Sequence, residues 1–99
     1  MMNKKDYVGK VVISAETKNR FVLTEIHAAY ICVGTEKLNV YGTRDCYMFK
    51  IDNEDPFTSG ALYFEDETLN EKFKNEYKEY RFSKAGSAEA WMYWMLTGD

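Results

Sequence analysis

The chain predicts an α+β domain: a curled antiparallel sheet of five to six strands over residues ~9–65, then two C-terminal helices, at ~69–83 and ~88–97, packed on it. Three observations point there. The first two-thirds consists of short β-branched and aromatic runs parted by turns too brief for helical crossovers. The last third changes to apolar spacings of three and four. The chain has 99 residues, 45% hydrophobic and 29% charged with one proline, which suits one folded domain with a modest core.

The first two strands are "GKVVIS" (9–14) and "RFVLTEI" (20–26), joined by the hairpin-length loop "AETKN" with Lys18 and Asn19 at its tip. On the second run Phe21 and Leu23 share one face while Val22, Thr24 and Ile26 share the other. Apolar residues on both faces predict a strand covered on both sides or a strongly curled sheet. "AAYICVG" (28–34) is a third strand ended by Gly34, "KLNVYG" (37–42) a fourth ended by Gly42, and "DCYMFKI" (45–51) a fifth. After the break "DNEDPFTSG", "ALYFE" (61–65) is a sixth.

Thr68 followed by Glu71 forms a capping box at the mouth of the first helix. Leu69, Phe73, Tyr77 and Tyr80 then recur at four, four and three residues as one apolar stripe. Gly86 ends that helix, and Ser87 and Gly98 fence the second, which carries six large apolar or aromatic residues in a row from Trp91 to Leu96. Trp91, Trp94 and Met95 fall on one side of it, facing the core, which leaves Met92 and Tyr93 on the remaining arc.

Composition narrows the functional classes. The lysines of "MMNKKDY" have no apolar segment behind them, so no signal peptide is expected, and no apolar run approaches the ~20 residues that span a bilayer. Cys32 and Cys46 lie in strand-like stretches and read as reduced thiols of a soluble cytoplasmic protein, with a disulfide open to them if their strands are neighbours. One histidine, His27, leaves no multi-histidine metal site. The chain lacks a Cys-x-x-Cys pair, a glycine-rich phosphate loop and a zinc-binding helix motif. No catalytic residue, metal or cofactor is therefore expected. "DNEDP" lacks the alternating ligands, central glycine and closing glutamate of a calcium loop.

Charge is divided along the chain. Residues 1–50 carry eight Lys/Arg against five Asp/Glu, and residues 51–99 five against eleven. Asp52, Glu54, Asp55, Glu65, Asp66 and Glu67 gather within residues 52–67 with no base among them. The expectation is a non-catalytic protein-binding module that docks on a larger protein through this acidic patch, through Met92, Tyr93 and Trp94 of the last helix, or both. An inhibitor is a natural use for such a domain. The general character is that of small inhibitors of host-defence nucleases, of anti-CRISPR or anti-restriction type, a likeness of type and not of motif. A homodimer through the same helix is the other partner expected. The alternatives are a small ligand or peptide held between sheet and helices, and single-stranded nucleic acid on the basic, tyrosine-bearing sheet half. The acidic balance weighs against nucleic acid.

Overall fold

The computed structural model of the chain describes residues 2–51 and 54–85. A short 3-10 turn, Lys4–Asp6, precedes five strands and a helix: β1 (Val11–Ser14), β2 (Arg20–Ile26), β3 (Tyr30–Thr35), β4 (Cys46–Lys50), β5 (Leu62–Phe64) and α1 (Thr68–Ala85). The strands form one antiparallel sheet in the order β4-β3-β2-β1-β5. The α+β class and the first helix agree with the sequence reading. The second predicted helix, ~88–97, lies outside the described residues, so α1 is the one helix among them.

Directly opposed residues of antiparallel strands share a face, so the register sorts the side chains. Val12, Leu23, Ile31, Val33, Leu62 and Phe64 fall on one face and are buried. Val11, Ile13, Val22, Cys32, Met48 and Tyr63 fall on the other. Simple alternation along β2 would send Ile26 to the second face. Instead the register with β3 shifts between Leu23 and Glu25, so Thr24 is an extra, bulged residue. Ile26 then pairs with Ile31 on the core face and is buried there. The apolar residues that predicted a strand covered on both sides thus partly serve a single core.

The fourth predicted strand, 37–42, does not form, and five strands remain among the described residues. Asn39 is the reason. Its Oδ1 accepts from the amides of Tyr41 and Thr43 at 2.9 and 3.1 Å, and from the Thr43 hydroxyl at 3.1 Å. The Asn39 amide donates to the Thr43 carbonyl at 2.7 Å, and Gly42 takes φ +79°, which suits glycine. A side chain that offers the backbone a local turn outcompetes a ladder, so residues 37–42 form part of the β3–β4 connection. Arg44 ties that connection down. Its Nη1 donates to the carbonyls of Thr35 and Glu36 at 2.7 and 2.6 Å. It crosses Gly34 so closely that a Cβ there would stand 3.2 Å from two Arg44 carbons.

α1 covers the core face along the predicted stripe. Phe73 and Tyr77 are fully buried, and Leu69 and Tyr80 pack against the core. The cap differs from the expected box: Asp66, not Thr68, is the acceptor. Asp66 Oδ1 takes the Thr68 amide at 3.1 Å and the Thr68 hydroxyl at 2.6 Å, the reach of an N-cap side chain to the third residue of the turn. Farther along, the Tyr77 hydroxyl donates to the His27 carbonyl, and Arg81 Nε to that of Ala28 at 3.0 Å. These bonds fix the helix over the β2–β3 turn.

The ring of Phe73 lies among those of Tyr7, Phe57, Phe64 and Tyr77. Truncation to alanine should cost about 3–5 kcal/mol, the usual loss for a buried phenylalanine. Urea denaturation reads it as a lowered midpoint at an unchanged slope. A loss below ~1 kcal/mol would mean that the ring cluster does not hold the helix on the sheet.

Candidate functional site

Three carboxylates of the acidic stretch, Asp55, Glu65 and Asp66, have partners within the chain. Asp55 is buried. Its Oδ1 accepts the amides of Phe57 and Thr58, each at 2.9 Å, and its Oδ2 takes the Thr58 hydroxyl at 2.7 Å. That carboxylate builds the tight turn that drives Phe57 into the core. Asp66 caps α1 as described. The Thr68 hydroxyl and amide hold its carboxyl below the ordinary carboxylate range.

Glu65 pairs with Arg20, which also reaches Glu36 at 3.1 Å. The guanidinium, chiefly by hydrogen bonding, holds Glu36 below its ordinary value, and the same contacts raise Arg20. All three are surface groups, so the network contributes little to stability. Glu54 and Glu67 are exposed. Asp52, Met92, Tyr93 and Trp94 lie outside the described residues.

A different surface comes together around β4, the outer strand of the sheet. Bonds at the two ends of the β3–β4 ladder show which way its backbone points: Thr35 N donates to Asp45 O, and Ile51 N to Ala29 O, both at 2.9 Å. Because hydrogen-bonded and non-bonded pairs alternate, Tyr47 and Phe49 bond inward to Val33 and Ile31. Cys46, Met48 and Lys50 therefore direct their N–H and C=O groups away from the sheet. Among the described residues nothing bonds these outward groups.

The side chains beside this edge are large and uncovered among the described residues. Met48 is 63% exposed and Tyr47 51%. In the preceding connection Val40 is 93% exposed, Tyr41 87% and Leu38 57%. Tyr47 keeps an edge-to-face contact with Phe21 at 5.8 Å, which braces its ring on the core side of the sheet. Of these five residues, Tyr41 and Tyr47 stood out in the sequence only among the tyrosines of the nucleic-acid alternative, and Leu38, Val40 and Tyr41 read as an ordinary strand. The available signal was Asn39 and Gly42 bracketing two residues, a turn signature that lifts both apolar side chains off the sheet.

The opposite edge is largely covered. Leu62 N donates to Pro56 O at 3.0 Å, and Phe64 N to Asn70 Oδ1 at 2.8 Å, while Asn70 Nδ2 reaches Phe64 O at 3.5 Å. The turn before β5 and the first turn of α1 thus occupy three of the four outward groups of β5, the Leu62 amide and both groups of Phe64.

Cys32 and Cys46 do sit on neighbouring strands and on the same face, but Cys32 opposes Met48, and Cys46 opposes Gly34. The two-residue offset sets them diagonally, beyond easy disulfide reach, and both are free thiols. Burial, and then the neighbouring Glu25, pushes the Cys32 thiol up to about 11. Among the described residues no three His, Cys, Asp or Glu side chains cluster to hold a metal, and no helix is long and apolar enough to cross a membrane. Comparison of the chain with protein-family models, curated proteins and solved structures finds no match.

Two outcomes check this description. Brief alkylation at pH 8 with mass-spectrometric mapping should modify exposed Cys46 on the order of tenfold faster than Cys32, and equal rates would contradict the placement of Cys32. Asp66→Asn keeps an acceptor but removes the charge. A carboxyl lowered by folding stabilises the protein above the ordinary carboxylate range, and that contribution is lost as pH falls through its lowered value. Thermal unfolding should therefore separate wild type from Asp66→Asn most at neutral pH and converge in acid. A gap that widens in acid would reverse the sign.

Proposed function

We propose that this chain is a non-catalytic protein-binding module that takes a polypeptide strand along β4. The observation that carries the reading is the asymmetry of the sheet. β5 has three of its four outward groups filled by Pro56 and Asn70, while among the described residues those of Cys46, Met48 and Lys50 on β4 have no partner and face any strand that meets them. Strand addition of this kind takes affinity from main-chain bonds and selectivity from the alternate side chains beside the edge. Tyr47 and Met48 supply one such site on each face, and Leu38, Val40 and Tyr41 extend the apolar area beyond the strand end. Tyrosine and methionine are the side chains enriched where proteins meet.

The protein-binding class is the one expected from the sequence, and the proposed docking surface is β4 in place of the acidic stretch and the last helix. The space between sheet and helix, where a small ligand would lie, is filled by Phe57, Phe64, Phe73 and Tyr77. That packing favours an edge over an interior pocket as the docking place.

The test is a proline at position 48. Proline is tolerated on an edge strand where the missing N–H faces outward, and the inward ladder through Tyr47 and Phe49 is retained. Capture by the tagged chain should fall about tenfold or more in Met48→Pro, equivalent to ~1.4 kcal/mol. It should be unchanged in the double charge reversal Glu54→Lys with Glu67→Lys. Loss with the charge reversal and not with the proline would return the docking surface to the acidic residues.

A further inference from the structure

The polypeptide strand that fits this edge best is β4 itself. We propose that a second copy of the chain occupies the β4 edge, antiparallel to the first, about a two-fold axis that sets Met48 opposite Met48. This rests on the reading of β4 as a docking edge and names its occupant.

Backbone direction restricts the pairing. Only Cys46, Met48 and Lys50 point outward, so two β4 strands can bond only in registers that place outward residues against outward residues. With the axis at Met48, Cys46 of each copy opposes Lys50 of the other. All three outward residues are then paired within the strand, and six new main-chain hydrogen bonds close the seam, two for each of the three opposed pairs. Moving the axis to Phe49 leaves Cys46 without a β4 partner. Moving it to Lys50 brings Lys50 against Lys50, and moving it to Tyr47 brings Lys50 against Arg44, each a like-charge opposition. The Met48 register alone uses the whole strand and opposes no like charges.

The side chains agree with that register. Tyr47 and Phe49 lie on the core face, opposite Val33 and Ile31. Across the seam Tyr47 of each copy meets Phe49 of the other, twice, at non-hydrogen-bonded positions where opposed side chains approach most closely. On the other face Met48 meets Met48, which removes from water two thioether side chains that are 63% exposed in the single chain. The same strand with the same patch on each copy is the isologous contact a two-fold dimer requires. The result is one ten-stranded sheet with the two largely covered β5 edges at its ends. An apolar edge that lacks proline and bulge is otherwise a place for uncontrolled association, and closing it on itself removes that hazard.

The experiment uses the full chain and two variants, with mass measured by light scattering across a concentration series. Wild type should approach twice 11.6 kDa as concentration rises. Met48→Lys and Met48→Glu place like charges directly opposite each other, so each alone should weaken the dimer by more than about tenfold. Residue 48 is exposed, so both variants should remain folded, which circular dichroism checks. An equimolar mixture of the two should restore the dimer, because only an axis at residue 48 opposes the lysine of one copy to the glutamate of the other. Hydrogen exchange adds a second readout. The amides of Cys46, Met48 and Lys50 should exchange slowly in wild type and rapidly in Met48→Lys, while those of Tyr47 and Phe49 stay slow in both.

A wild type that remains monomeric throughout, a Met48→Lys chain that still dimerises, or a mixture that does not reassociate would each overturn the proposal. A monomer with slow amides at Cys46, Met48 and Lys50 also overturns it and gives the edge to another part of the same chain. A monomer that still captures a different protein in a Met48→Pro-sensitive way overturns the second copy but keeps β4 as the docking edge. A dimer untouched by any position-48 variant overturns the second copy at β4 and leaves the docking edge to the Met48→Pro capture test.

Discussion

The ring of Phe73 lies 4.9 Å from that of Tyr7, 4.5 Å from Phe57 and 5.2 Å from Phe64, and Tyr77 stacks on it at 5.1 Å. One side chain therefore gathers the N-terminal segment, the turn before β5, β5 and the helix into a common core. Polar groups around the cluster serve the same end. The Tyr7 hydroxyl donates to Glu76, and burial and that bond hold the phenol protonated well above its ordinary range. Asp55 builds the turn that delivers Phe57, and Asp66 starts the helix that delivers Phe73. Several conspicuous charges in the chain are thus committed to placing aromatic rings.

That commitment shapes the outer surface. The ring cluster sits toward the β5 side of the sheet, and the elements that feed it, the 55–60 turn and the start of α1, also cover most of the outward backbone of β5. Nothing comparable among the described residues reaches β4, which is joined to the core mainly through Phe49 and the ring contact of Tyr47 with Phe21. The single described helix runs from β5 to the β2–β3 turn and stops short of β4, whose outer edge is open among the described residues, with its backbone direction and apolar side chains set for another strand.

Much of this was legible in the chain. Four of the predicted strand stretches, at 9–14, 20–26, 28–34 and 45–51, hold β1 to β4, and 61–65 holds β5, because β-branched runs between turn residues have few other outcomes. The stripe of Leu69, Phe73, Tyr77 and Tyr80 marked the buried side of α1 correctly. The strand at 37–42 misled because Leu38, Val40 and Tyr41 have strand character, whereas a three-way bond to one asparagine oxygen outweighs that preference. Ile26 misled because alternation assumes an unbroken register, and the bulge at Thr24 inverts it.

The sequence alone determined where β1 to β5 and α1 lie and which residues of α1 face inward, since periodicity and turn chemistry act over a few neighbouring residues. It could not tell which carboxylates are free. Asp55, Glu65 and Asp66 look alike in the chain, and only their partners at Thr58, Arg20 and Thr68 distinguish turn, ion pair and cap. Nor could it tell which edge of the sheet is open, because the direction of a backbone N–H is set by the strand it already pairs with. Register and edge order are relations between distant segments, so the tertiary structure decided that, among the described residues, β5 is largely covered and β4 is not.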